Sequence, residues 1–257
     1  RAMRDGAFGI ASALIYPPNT YASTEELIDA SKAMAPYGGV YITHMRSEGD
    51  KFLEAMDEAI RIGKEGGVAV EIYHLKASGL RNWPKMDKAI AKIDSVRAAG
   101  QDVQANMYLY PAGGNSFSSC IPPKYAEGGK LLQNLKDKSL RATMVAEIHA
   151  MDAGYENLCE IATPENVMVM GFRKAANKQY EGKRLSEIAA SMKKDWAEVI
   201  IDLNVDEGLA LGEILFLMSE PNIENQLRQP WMKFGTDAGS QDPATAVGLT
   251  HPRAYGN

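Results

Sequence analysis

Short apolar runs closed by proline or glycine alternate along this chain with stretches of helical period, and that alternation leaves few folds open. Residues 8–16 are an apolar run too short for an ordinary helix, stopped by Pro17-Pro18. Ser23-Thr24-Glu25-Glu26 has capping-box spacing and opens a helix carrying Leu27, Ile28, Ala30 and Met34, which stops near Pro36 and Gly38-Gly39. Residues 40–43 read as a strand leading to His44, and Phe52, Leu53, Met56, Ile60 and Gly63 mark a helix ended by Gly66-Gly67. Residues 68–75 form the next strand, with His74 at its end. Pro84, Ile90, Ile93, Val96 and Gly100 outline another helix, and residues 102–110 another strand, stopped by Pro111. Residues 112–129, rich in Gly, Ser and Pro, read as a long loop. Helices are expected over 130–136, 140–151, 185–192 and 196–204, with strands at 166–170 and 231–236, the last ending at Asp237. Strands alternating with helices mean βαβ units and a parallel sheet, and so the α/β class. In a barrel of that kind the chemistry sits at the C-terminal ends of the strands.

Length is compatible with this, since barrels of about 250 residues commonly form one domain. At 45% apolar and 24% charged, the composition is that of an ordinary globular chain with material for a large core. Lys+Arg number 28 against 33 Asp+Glu, a net charge of −5, which argues against a nucleic-acid binder, whose partner demands a basic face. No apolar window is long enough to span a bilayer, so no membrane partner is expected. Two cysteines, Cys120 and Cys159, make no disulfide framework and no C-x-x-C; they read as packing or loop residues in a reducing, cytoplasmic setting. Arg1 in place of a methionine, and an end at Asn257 just after His-Pro-Arg, suggest a stretch cut from a larger protein.

His44, His74 and Asp237 are metal-competent side chains at predicted strand ends. The two histidines are 30 residues apart, about one βα unit, so consecutive parallel strands could present them side by side. A lone histidine at a strand end is ordinarily a hydrogen-bonded structural residue; the pair with Asp237 in Gly235-Thr236-Asp237 shifts the balance toward a zinc site. His149 lies in a helical run and reads as a surface residue, and Arg173, Lys174, Lys178, Lys183 and Arg184 as a solvated loop. The chain has no G-x-S-x-G, no P-loop, no G-x-G-x-x-G and no His-x-His.

The strand-end strings carry more. Gly6-Ala7-Phe8-Gly9 through Leu14-Ile15-Tyr16-Pro17-Pro18, Tyr41-Ile42-Thr43-His44-Met45-Arg46-Ser47-Glu48-Gly49, His74-Leu75-Lys76, Tyr108-Leu109-Tyr110-Pro111, Gly235-Thr236-Asp237 and His251-Pro252-Arg253-Ala254-Tyr255-Gly256 occur in this order. Together they resemble the N-acyl-D-amino-acid deacylases (D-aminoacylases) of the amidohydrolase superfamily. The resemblance implies a TIM-type (β/α)8 barrel of the metal-dependent hydrolase kind. This chain would form a partial barrel domain over residues 1–257, about strands four to eight, without the N-terminal strands and the small β-domain. It further implies His44, His74 and Asp237 as zinc ligands, with one ion held tightly and a second optional, and Asp237 also as the catalytic acid–base. Lys76, one of the two tyrosines Tyr108 and Tyr110, and Arg253 would hold the carboxylates of a small N-acyl-D-amino acid. The family's His-x-His and its metal-binding cysteine lie upstream of the matched region, so the site is half present and the fragment alone is expected to be inactive. Two other readings stay open: a cyclic amidase of the hydantoinase or dihydroorotase type, and a non-catalytic ligand-binding barrel fragment. The oligomeric state is not legible.

Overall fold

The computed structural model describes residues 1–151 and 154–239. Strands β1 (Gly9–Ala13), β2 (Val40–His44), β3 (Ala69–Ile72) and β4 (Val103–Met107) alternate with helices α1 (Thr24–Met34), α2 (Phe52–Gly66) and α3 (Met86–Ala98). There follow β5 (Gly113–Ser116), α4 (Leu131–Lys136), α5 (Arg141–Ile148), α6 (Leu158–Ala162), β6 (Val167–Met170), α7 (Leu185–Met192), α8 (Trp196–Asp206) and β7 (Gly212–Leu215), then α9 (Glu220–Leu227) and β8 (Met232–Phe234). The described residues divide into two compact units. Of the described residues, the first holds Arg1–Ala77, Arg81–Leu109 and 219–239, and the second holds Ser78–Leu80 and those within 110–218.

The first unit is built on a five-stranded sheet of order β1-β2-β3-β4-β8, every neighbouring pair parallel. α1 starts where its capping box places it: Ser23 Oγ accepts from the Glu26 N–H at 3.2 Å, and the Glu26 carboxylate accepts from the Ser23 N–H at 2.8 Å. α2 ends at Gly67 in the left-handed region, φ +69°. Its Gly63 lies so close to the sheet that a Cβ there would stand 2.1 Å from Val70 Cγ2, so only glycine lets helix and strand meet. The register puts Tyr41, Thr43, Val70, Ile72, Val103 and Ala105 on this helix-covered face, all buried. The opposite face carries Ala11, Ile42, His44, Glu71, Gln104, Asn106 and Lys233 and is far less covered.

The second unit departs from the parallel pattern. Its three strands, ordered β5-β7-β6, pair antiparallel throughout. The stretch expected to be a loop over 112–129 supplies β5, whose sequence Gly-Gly-Asn-Ser has no apolar alternation to announce a strand. The strand expected at 166–170 forms, but in this sheet. The cysteines are also placed differently from the sequence reading: Cys120 and Cys159, Cα atoms 5.3 Å apart, form a disulfide that closes a 39-residue separation. Their neighbour is Glu213 on the central strand, 2% exposed, which shares the buried face with Val169 and Leu215. No helix among the described residues is long and apolar enough to cross a membrane.

Burial pushes the Glu213 carboxyl up to about 8, a rise that the Ser119 hydroxyl only partly opposes. The folded chain therefore keeps a proton that the unfolded chain has released, so the associated stability is complete below about 4.5 and fades as pH rises toward 8. In the disulfide-bonded, metal-free protein, Glu213→Gln should flatten that decline. Urea midpoints at pH 5 and pH 8 for both proteins measure it, and parallel slopes would show that Glu213 stays ionised in the fold.

Candidate functional site

The C-terminal ends of β2 and β3 bring two imidazoles together. His44 closes β2, His74 follows β3, and His44 Nδ1 lies 2.9 Å from His74 Nε2 with the rings edge-on. His74 takes a left-handed backbone, φ +34°, which is uncommon for a residue with a side chain and recurs at functional sites. What holds it there is a polar row on the open face of the sheet. Asn106 accepts the His74 N–H at 2.8 Å and donates to Glu71 at 3.0 Å, while Lys233 binds the other oxygen of Glu71 at 2.7 Å.

Glu48, buried in the loop after β2, completes the cluster. Its Oε1 lies 2.9 Å from His74 Nδ1 and 2.7 Å from Lys76 Nζ. A carboxylate at that distance favours the His74 tautomer with the proton on Nδ1 and turns the Nε2 lone pair toward His44. Burial by itself would raise the Glu48 carboxyl, but Lys76, His44 and His74 outweigh it and hold the group well below the usual carboxylate range. Burial likewise pushes His44 down to about 4, with His74 and Lys76 acting in the same direction against Glu48, so its imidazole is neutral at pH 7. His44 Nε2 is buried without a hydrogen-bond partner. Tyr108 is buried beside the cluster, its ring centroid 5.4 Å from Lys76 Nζ.

The loop that presents Glu48 is pinned from its other side. Arg46 grips Glu58 with two nitrogens at 2.9 Å and donates to the carbonyls of Thr20 and Ala22, both at 2.9 Å. Such a planar, bidentate fork is one that lysine could not supply.

Of the residues singled out in the sequence, the structure joins His44, His74, Lys76 and Tyr108. Asp237 follows the end of β8, exposed and with φ +52°; the three donors that lie within 4.8 Å of one another are those of His44, Glu48 and His74. Tyr110 belongs to the second unit. Arg253 lies outside the described residues. Lys76, expected on a substrate carboxylate, donates to Glu48. Glu48 was missed. It lies in the Arg46-Ser47-Glu48-Gly49 string, but a lone glutamate in a loop looks like any solvated charge.

Comparison with known proteins gives this cluster its context. No protein-family model matches the chain. A D-aminoacylase of Alcaligenes xylosoxydans xylosoxydans is 29% identical over 257 residues, covering 99% of this chain and 42% of that protein. The same organism's N-acyl-D-aspartate deacylase is 26% identical over 99% of this chain, and its N-acyl-D-glutamate deacylase 36% identical over 49%. A solved D-aminoacylase structure, described as defining a novel subset of amidohydrolases, superposes with a TM-score of 0.64 at 29% identity over 92% of this chain and 40% of that one. The chain is similar to D-aminoacylases over nearly its whole length, in sequence and in fold. It spans about two fifths of the length of these relatives. An N-acyl-D-glutamate deacylase from Bordetella bronchiseptica, 23% identical with a TM-score of 0.65, shares the fold. A further D-aminoacylase structure, with a TM-score of 0.64, is described as having a binuclear metal centre with one-metal activation. The D-aminoacylase resemblance read from the strand-end strings thus agrees with both comparisons.

Removing Glu48 should leave the Lys76 ammonium, 6% exposed, buried without its counter-charge. Glu48→Ala is expected to destabilise the protein by about 3–5 kcal/mol. The Glu48→Ala/Lys76→Met double variant should lose less than Glu48→Ala alone, as read from urea midpoints. If the two losses simply added, Glu48 and Lys76 would not be coupled.

Proposed function

We propose that the protein containing this chain hydrolyses the amide bond of N-acyl-D-amino acids, giving a D-amino acid and a carboxylic acid. The observation that carries this reading is the convergence of His44 and His74 at adjacent strand ends, oriented by Glu48, in a chain that aligns with a D-aminoacylase over nearly its whole length. The five parallel strands are taken as strands four to eight of a (β/α)8 barrel. Two features favour that view: the sparsely covered face of the sheet, and the outer edges of β1 and β8, unpaired among the described residues. Parallel sheets are ordinarily covered on both faces, and barrel closure removes edges.

The donors suit zinc. Two imidazoles converge, one is held neutral, and a buried ring nitrogen of His44 lacks a partner. His44 and His74 would hold the ion, one tightly bound with a second optional, and Asp237 would join them if β8 brings it inward. When bound, such an ion activates water at neutral pH and polarises the acyl carbonyl.

The chain's own residues do the rest. Glu48 keeps the His74 ring oriented with Nε2 free of its proton. Asp237 takes the proton from the attacking water and returns it to the departing amine nitrogen, which is a poor leaving group unless protonated. Lys76 directs one of its three N–H bonds at Glu48 and turns another toward the substrate carboxylate. Arg253 offers that carboxylate a planar fork, and Tyr108 adds a hydroxyl, so that one enantiomer is fixed with its carbonyl at the attacking water.

Full-length protein should hydrolyse N-acetyl-D-methionine or N-acetyl-D-glutamate and spare the L-enantiomers; hydrolysis of hydantoins instead would overturn the reading. Asp237→Asn in that protein should lower turnover about 10²–10⁴-fold while zinc, measured by elemental analysis, stays bound. Activity within tenfold of the unaltered enzyme would remove Asp237 from the proton path. The 257-residue chain with added zinc should show no turnover, because its two histidines fall short of the three protein ligands usual at catalytic zinc, and using Asp237 as the third would occupy the proton acceptor. Turnover equal to that of the full-length protein would mean that the chain carries a complete site.

A further inference from the structure

The second unit contains a group of side chains for which amide hydrolysis has no use. Cys120 ends a 3₁₀ turn, Cys159 lies in α6 and Glu213 sits in the middle of β7; both cysteines are fully buried and Glu213 is 2% exposed. Glu213 Oε2 lies 3.1 Å from Cys120 Sγ and 3.4 Å from Cys159 Sγ, and one donor atom from each residue falls within 4.8 Å of the others. The other carboxylate oxygen accepts from Ser119 Oγ at 2.7 Å. No basic side chain among the described residues pairs with Glu213.

A disulfide leaves this arrangement unexplained. Its sulfurs have no hydrogen to give, so the carboxyl group faces them with the Ser119 hydroxyl as its one donor, and a buried polar group so poorly satisfied is costly even when protonated. Packing alone would favour an apolar residue or glutamine on the inner face of β7. A cation would satisfy all three residues at once. Two thiolates and a carboxylate converging from a turn, a helix and a strand are a donor set for a soft or borderline divalent ion, with sulfur at about 2.3 Å and oxygen at about 2.0–2.2 Å. Ser119, bound to the far oxygen of Glu213, is then the group that orients the carboxylate.

We propose that Cys120, Cys159 and Glu213, when the two cysteines are reduced, form a zinc-type metal site in the second unit. The oxidised pair closes the site. A phosphine reductant reopens it, the phosphorus taking an oxygen from water while each sulfur gains a hydrogen. Metal binding then releases the thiol protons to solvent.

The test uses cobalt as the probe. The 257-residue chain is unfolded, reduced with a phosphine, and refolded without oxygen in the presence of Co²⁺. Its two cysteines are Cys120 and Cys159, and the His44–Glu48–His74 cluster offers nitrogen and oxygen alone, so a near-ultraviolet sulfur-to-cobalt charge-transfer band can come from nowhere else. The band should appear in the reduced chain, be absent from the oxidised chain, and be displaced by Zn²⁺. Zn²⁺ should also raise the thermal midpoint of the reduced protein more than that of the oxidised one. Glu213→Gln should keep the band but weaken cobalt binding by about tenfold or more. A refolded chain with two titratable thiols and no band at saturating cobalt would overturn the proposal, leaving the pair as a disulfide only. An unchanged affinity in Glu213→Gln would remove the carboxylate from the site. The comparison of reduced with oxidised wild type needs no variant, so a variant that fails to fold does not weaken the test.

Discussion

The carboxylate of Glu48 is buried among groups that make sense together only if it is charged. It anchors the Lys76 ammonium, fixes the tautomer of His74 and, through that ring, sets which nitrogen faces His44. A buried charge of this kind is worth little to stability as a pair, because desolvation offsets most of the attraction. Its value is orientation. Loss of the carboxylate would free the His74 ring to flip and leave Lys76 without a counter-charge, and the two imidazoles would no longer converge.

That dependence explains the effort spent on the surrounding loops. Arg46 ties the Glu48 loop to Glu58 and to two backbone carbonyls, and Asn106 holds the His74 turn through its backbone N–H. Asn106 in turn is bound by Glu71, which Lys233 neutralises. The polar row therefore runs from β8 through β3 and β4 to the site, on the face of the sheet that the helices do not cover. One face supplies apolar packing for stability and the other supplies aligned polar groups. The same separation into two faces is found in the second unit, with the exception of Glu213, and that exception is what points to its use.

Much of the first unit was legible because its signals are local. The Ser23 capping box, the Gly67 stop and the apolar runs at β1 to β4 each announce themselves within a few residues. The second unit was less so. β5 is made of glycine, asparagine and serine, and it becomes a strand only because β7 pairs with it. β7 and α9 passed without a periodic signal strong enough to register. Glu48 was hidden for a related reason: charge and burial are independent in a sequence, and a glutamate next to a glycine gives no sign that it will be enclosed.

What the sequence determined by itself is therefore the order of elements, the parallel class of the main sheet and the placing of His44 and His74 one βα unit apart, at strand ends. Each of these follows from spacing along the chain, which the folded state cannot alter. Tertiary structure decided which groups those histidines meet: Glu48 from a loop, Lys76 from the turn after β3, Asn106 from β4. It also decided that two cysteines 39 residues apart would converge on Glu213. Such meetings depend on the path of the backbone in three dimensions, where a few ångströms separate an ion pair from two solvated side chains, and no pattern in one dimension records them.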